Sequence, residues 1–238
     1  RGEEAVSRAV EEFNQAEPPR FMWIHLFDSH RPYGHDDEAI PDSLDRKAEF
    51  ASPESFWSSG LSDKEAELLE EKYRASLRRV DSQLKKLFDE IDSDPIYVIT
   101  ADHGEELGEG GYYYHQGWRR RLPETVTNVP SVFGGFELEA EQMSHLDIAP
   151  TILGRLGIDI PEEWHGKNLI EESRDQALTI APWNNKASVL WQDFDTRILM
   201  EDADISLSQH GSVIEPEKTE VDERTRKRLR DLGYIDSG

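Results

Sequence analysis

Residues 62–106 constrain the fold more than any other part of the chain. Ser62-Asp63-Lys64-Glu65 is a capping-box pattern. Behind it, Leu69, Tyr73, Leu77, Val80, Leu84, Leu87 and Ile91 recur at spacings of three and four, which predicts one long amphipathic helix. The helix leads straight into Ile96-Tyr97-Val98-Ile99, a short apolar run that reads as a buried strand. That strand ends abruptly in Asp102-His103-Gly104. Upstream, Phe21 to Phe27 also reads as a strand, and it breaks into the polar turn Asp28-Ser29-His30-Arg31-Pro32-Tyr33-Gly34. Strand, loop, helix, strand is a crossover unit, and a crossover unit predicts a parallel sheet.

The rest of the chain hangs on this unit. Residues 1–16 look like a short helix closed by Pro18-Pro19, and residues 34–60 like a long surface loop. Val129 to Phe133 reads as a strand ended by Gly134-Gly135. Ser144 with Asp147 caps a helix that Gly157 stops. From 177 onward, Ala177–Ile180, Ser188–Trp191 and Arg197–Met200 are short β-like runs, as in an antiparallel meander, and residues 222–232 form a charged helix. The expected fold is α/β: a mostly parallel sheet flanked by helices, with a small antiparallel C-terminal subdomain. Its parts are a core over 1–174 and an appendage over 175–238.

Charge narrows the partners. With 50 acids against 27 bases the net charge is −23, which argues against nucleic acid, whose phosphates call for clustered Lys and Arg. The acids are spread rather than blocked, which suits a surface solvated at high salt. A halophilic source is expected, against the plainer reading of an ordinary acidic protein. The chain has no cysteine, hence no disulfide framework or thiolate site. No apolar run approaches membrane-spanning length and no basic-then-apolar leader is present. No membrane partner is expected, and a cytoplasmic location is favoured. The first residue is Arg1 rather than Met, so a processed or truncated piece of a longer protein is expected.

The chemistry concentrates at strand ends, where open α/β sheets bind ligands. Asp102 and His103 together offer one oxygen and one nitrogen donor to a divalent metal. On spacing alone a metal half-site and a plain strand-end cap are both compatible. His30 and His115 are the further candidates, with His25 and Asp28 behind them. Imidazoles of this kind donate to an anionic oxygen or a leaving group. Each has a bland alternative: His25 as a core histidine, His30 as a turn cap, His115 as part of an aromatic cluster after three tyrosines. Glu105 and Glu106 read as supporting or surface acids. Arg119 to Arg121 read as a solvated face or an anion-steering patch. His35, His145, His165 and His210 have no strand-end setting.

Several of these motifs together resemble the sulfatases of the alkaline-phosphatase-like superfamily. They are Ile99-Thr100-Ala101-Asp102-His103-Gly104-Glu105 with Gly108-Glu109, His115-x-Gly117 and Asn128-Val129-Pro130. Asp28-Ser29-His30-Arg31-Pro32-Tyr33 is similar to that family's Asp-x-His-x-Pro-Tyr segment. Val80-Asp81-Ser82-Gln83-Leu84, Ser144 to Leu153 and Leu232-Gly233-Tyr234 match in the same order. The resemblance implies a metal-dependent hydrolase of sulfate esters. Asp102 and His103 would be metal ligands, and His30 and His115 would contact the ester oxygens and assist the leaving group. The metal implied is calcium first, with manganese, zinc or magnesium in phosphatase-like members. A phosphodiesterase or phosphotransferase of the same superfamily is the second enzyme reading, and a non-catalytic module binding an anion or a partner is the third.

The departures are as informative. No Cys/Ser-x-Pro-x-Arg nucleophile motif occurs in the 238 residues. Asp36-Asp37 follows no strand, so the family's Asp-Asp metal pair has no counterpart. Gly110 stands where a His is frequent, and Asn128 where an Arg often precedes Val-Pro. The expectation is a chain like the C-terminal half of a sulfatase. It holds half a metal site, is inactive alone and is prone to self-association through an incomplete sheet.

Overall fold

A computed structural model describes residues 2–34, 39–54, 60–115, 121–183, 186–193 and 195–204. The charged helix expected over 222–232 lies outside them, as do His35, Asp36-Asp37, Arg119, Arg120 and His210.

The predicted helices form. α1 (Gly2–Gln15) buries Val6 and Ala9 and packs on α3 (Asp63–Glu90). At the far end of that contact the Asn14 amide donates to the Glu90 carbonyl at 3.0 Å and accepts from the Asp92 N–H at 3.0 Å. One side chain thereby satisfies two backbone groups where α3 stops. At the start of α3, the Glu65 carboxylate accepts from the Ser62 N–H (2.8 Å), the Ser62 hydroxyl (2.7 Å) and Lys47 Nζ (2.6 Å). These donors hold the Glu65 carboxyl at a pKa of about 2, well below the carboxylate range.

The face that α3 buries differs from the expected stripe. Leu69, Ser76 and Gln83, seven residues apart, are its buried residues, while Leu77 is exposed. Two of the three are polar because they meet the polar turn after residue 27. Gln83 Nε2 donates to Asp28 Oδ1 at 3.0 Å, and the Gly34 N–H reaches Ser76 Oγ at 3.4 Å. Asp28 is almost fully buried, with Arg79 Nε also 3.6 Å from Oδ1. Helix α3 is therefore a rail on which the 28–34 turn is pinned at both ends.

Residues 34–60 are not simply a surface loop. They contain α2 (Asp42–Glu49), and Ile40, Leu44, Ala48 and Ala51 are buried with Tyr33, Leu69, Tyr113 and Tyr114 in one core. The spacing of four, four and three carried a helical signal that the surrounding polar residues obscured.

The sheet departs most from expectation. β1 (Tyr97–Thr100) pairs antiparallel with β4 (Ser131–Gly134), and β2 (Glu106–Leu107) antiparallel with β3 (Tyr113–Tyr114). Residues 21–27 run extended without joining a ladder, so the first strand of the expected crossover does not pair. Among the described residues every strand pairing is antiparallel, and the mostly parallel sheet is absent. Phe21–Phe27 has the apolar composition of a strand, but neither β1 nor β4 pairs with it.

Beyond α4 (Glu124–Thr127) and β4, a 3-10 turn at His145–Asp147 enters α5 (Ile148–Leu156), which Gly157 closes in the left-handed region at φ +66°. Here Asp147, fully buried, takes both Arg174 Nε (2.5 Å) and Nη2 (2.6 Å). It also accepts from the Lys167 N–H (2.8 Å) and the Ser144 N–H (2.8 Å). Burial opposes its ionisation, but the Arg174 guanidinium and the two amides outweigh it, so the carboxyl ionises below its ordinary range. The expected antiparallel meander forms: β5 (Ala177–Trp183), β6 (Lys186–Gln192) and β7 (Arg197–Asp204) in the order β5-β6-β7. Arg197 Nη2 fastens this meander to the 122–127 stretch through the Leu122 carbonyl (3.0 Å) and Thr127 Oγ1 (3.1 Å). Among the described residues no helix is long and apolar enough to cross a membrane.

Candidate active site

The end of β1 brings the site together. Asp102 and His103 follow Thr100 after one residue, Ala101, and Gly104 then turns the chain against α4. The Gly104 N–H donates to the Val126 carbonyl at 2.8 Å, and a Cβ on Gly104 would lie 2.0 Å from the Thr125 carbonyl oxygen. No side chain fits there, which is why glycine follows the Asp-His pair. The Asp102 carboxylate turns back on the chain, Oδ1 accepting from the His103 N–H at 3.0 Å.

Three of the sequence-predicted imidazoles meet. The His103 and His115 ring centroids are 4.0 Å apart, and those of His115 and His30 are 6.1 Å apart. Each ring is held by its Nδ1. His103 Nδ1 lies 2.9 Å from the Gly104 carbonyl, His30 Nδ1 2.6 Å from the Arg31 carbonyl, and His115 Nδ1 2.5 Å from Glu105 Oε1. Carbonyl and carboxylate oxygens only accept, so each Nδ1 carries the proton and each neutral ring keeps its Nε2 lone pair. Asp102 Oδ2 lies 3.7 Å from His103 Nε2. That separation suits two donors sharing one cation at roughly 2.0–2.6 Å.

Glu105, read from the sequence as a supporting or surface acid, lies against these imidazoles. Donor atoms of His103, Glu105 and His115 lie within 4.8 Å of one another. Its second oxygen, Oε2, accepts from the Tyr33 hydroxyl. Tyr33 is fully buried, and burial followed by the Glu105 charge holds that hydroxyl far above the ordinary phenol range, so it remains a donor. Nothing in the local pattern links residues 33 and 105. Tyr114, which aims His115, has φ +66°, a left-handed conformation unusual for a tyrosine. It is fixed by its hydroxyl on Asp45 Oδ1 (2.7 Å) and by Arg31 over its ring at 4.9 Å.

Other candidates fall elsewhere. Asp28 anchors the turn on α3 instead of facing the histidines. His25 is exposed and stacks on Phe27 at 4.2 Å, one ring further out than His30. His145 and His165 are exposed on the α5 side. Arg121 is committed to buried Glu106, with Nη1 3.0 Å from both oxygens, and lies over the Tyr112 ring at 3.5 Å. It is held in a structural pair and is not a free anion-steering cation.

The donor set bears on the metal. The Asp102–His103 pair is mixed: the imidazole suits zinc, and the carboxylate suits calcium, magnesium or manganese as well as zinc.

Comparison with known proteins converges on one family. A 2,3-bisphosphoglycerate-independent phosphoglycerate mutase of Clostridium acetobutylicum is 32% identical over 126 residues, 51% of this chain and 22% of that protein. An N-acetylglucosamine-6-O-sulfatase of Bacteroides thetaiotaomicron is 26% identical over 48% of this chain and 22% of its own length. A low-salt glycan biosynthesis sulfotransferase of Haloferax volcanii is 26% identical over 60% of this chain and 35% of its own. The matched region thus spans about a fifth to a third of these relatives. Among solved structures, a 2-O GAG sulfatase aligns with 83% of this chain and 50% of its own, at TM-score 0.47 and 15% identity. The Sulfatase family model matches residues 3–158, and the chain belongs to the sulfatase family.

Proposed function

We propose that this chain carries the Asp-His metal half-site and the imidazole row of a metal-dependent hydrolase of sulfate esters. The observation that carries this reading is the approach of Asp102 Oδ2 to His103 Nε2 at 3.7 Å, beside His115 and His30. Asp102 and His103 would hold the ion. A divalent cation there would supply positive charge to the ester oxygens and offset the charge that builds during transfer. His115 and His30 lie beside that pair, where a protonated ring would donate to an anionic oxygen or to the departing alcohol. The attacking group comes from outside these residues, since the family's nucleophile motif does not occur among them.

Phosphoryl transfer is the second reading. The phosphoglycerate mutase relatives, 29–32% identical, favour it.

Calorimetric titration of the 238-residue chain with Mn²⁺, Zn²⁺ and Ca²⁺ tests the half-site. One weak site is expected, tighter for Mn²⁺ or Zn²⁺ than for Ca²⁺, and weakened at least about tenfold in Asp102→Ala and His103→Ala. Unchanged binding in both variants overturns the assignment. Turnover of 4-nitrophenyl sulfate by this chain is expected at background, and robust hydrolysis would show that it holds its own nucleophile. Displacement by inorganic phosphate well ahead of sulfate from the metal-loaded chain would move the assignment to the phosphoryl branch.

A further inference from the structure

The three site imidazoles are pinned by their Nδ1 atoms, but not by the same kind of partner. His30 and His103 are held by backbone carbonyls, those of Arg31 and Gly104, next to them in sequence. His115 is held by a side chain, Glu105, ten residues away. Both oxygens of Glu105 are engaged: Oε1 with His115 Nδ1 and Oε2 with the Tyr33 hydroxyl. Its side chain is 8% exposed, so little water competes for either oxygen. Tyr33 is itself fixed. Its ring lies 5.0 Å from Tyr73 and 5.6 Å from Tyr114, and its carbonyl accepts from the Ile40 N–H at 3.0 Å.

We infer that Glu105 is a positioning residue, clamped by Tyr33, that fixes His115 as the Nδ1–H tautomer and so turns its Nε2 toward the reacting ester. This deepens the assignment of His115 proposed above and rests on it. Because Tyr33 lies on the same turn as His30, one buried carboxylate also sets the spacing between the two imidazoles. A carboxylate behind an imidazole both selects the tautomer and strengthens the basicity of the far nitrogen. The arrangement accounts for an acid directly after Asp102-His103-Gly104 whose two oxygens meet a ring nitrogen and a phenol hydroxyl. An ester held at Nε2 would meet a ring that cannot flip without breaking the bond to Glu105.

Long-range ¹H–¹⁵N correlation spectra of the histidine rings test this on the 238-residue chain without metal or ester. They are recorded near about pH 8, where an ordinary imidazole is neutral. His30, His103 and His115 are all expected as Nδ1–H tautomers. In Glu105→Ala, His115 alone should go over to the Nε2–H form that a free imidazole favours, with His30 and His103 unchanged. Glu105→Gln keeps an acceptor oxygen at the same place and should retain the Nδ1–H form. A wild-type His115 in the Nε2–H form overturns the inference, and so does an alanine variant with the wild-type His115 pattern. Should the alanine variant unfold, the wild-type and Glu105→Gln spectra still decide. Since no metal or substrate is present, this outcome is independent of whether the half-site binds an ion or the enzyme cleaves a sulfate.

Discussion

Single residues decide where the chain bends and where its charges rest. Gly104 has the smallest margin. Alanine there would push its methyl into the Thr125 carbonyl, and we expect a loss of about 1–3 kcal/mol in urea unfolding, the usual cost of overpacking. Asp147 has a larger one. Asp147→Asn leaves the Arg174 guanidinium without its counter-charge, and a loss of about 3–5 kcal/mol is expected. The pH dependence follows from the direction of the shift. The Asp147 carboxyl ionises lower in the folded chain than in the unfolded one, so its stabilisation is complete above about pH 4 and disappears as pH falls through the depressed value. The gap between wild type and D147N should therefore close on acidification. A gap that widened would contradict the ion pair. At this scale the sequence was readable where chemistry is adjacent, as in Asp102-His103, and unreadable where it is distant. Tyr33 and Glu105 are 72 residues apart, and no periodicity relates them.

Elements were legible when their own pattern sufficed. α1, α3, α5 and the β5–β7 meander each follow from spacing and caps inside the segment. The line Leu69, Ser76, Gln83 could not be chosen over the more apolar stripe, because its partner is a polar turn elsewhere. The same reason accounts for the sheet. The apolar run over residues 21–27 reads as a strand, but which strand would lie beside it is a non-local matter. Phe21 and Trp23 are 82% and 79% exposed on that segment, and no strand ladder occupies its edges. The isolated chain should associate as its concentration rises. Sedimentation velocity should show the Phe21→Glu/Trp23→Glu double variant shifted toward monomer, and an unshifted distribution would place the contact elsewhere.

For the molecule as a whole, charge is the dominant feature, and it was fully readable. The exposed pairs Arg8–Glu12 and Lys85–Asp89 are screened by solvent and contribute too little to offset mutual repulsion among 50 acids. Raising KCl from 0.1 to 2 M should increase Tm by about 5 °C or more, which corresponds to ~2 kcal/mol for a chain of this size. A flat or falling Tm would show that repulsion does not limit stability. The family, too, was legible over the matched residues 3–158, because its motifs keep their order even where their partners are far apart.

That distance has a consequence for synthesis. Arg197 fastens the meander to Leu122 and Thr127 across 75 and 70 residues. At about 5–20 residues per second, a ribosome makes the 122–127 stretch roughly 4 to 15 s before it makes the arginine that clasps it. For that interval the 122–127 stretch, whose Val126 carbonyl receives the Gly104 N–H, lacks one of its fastenings.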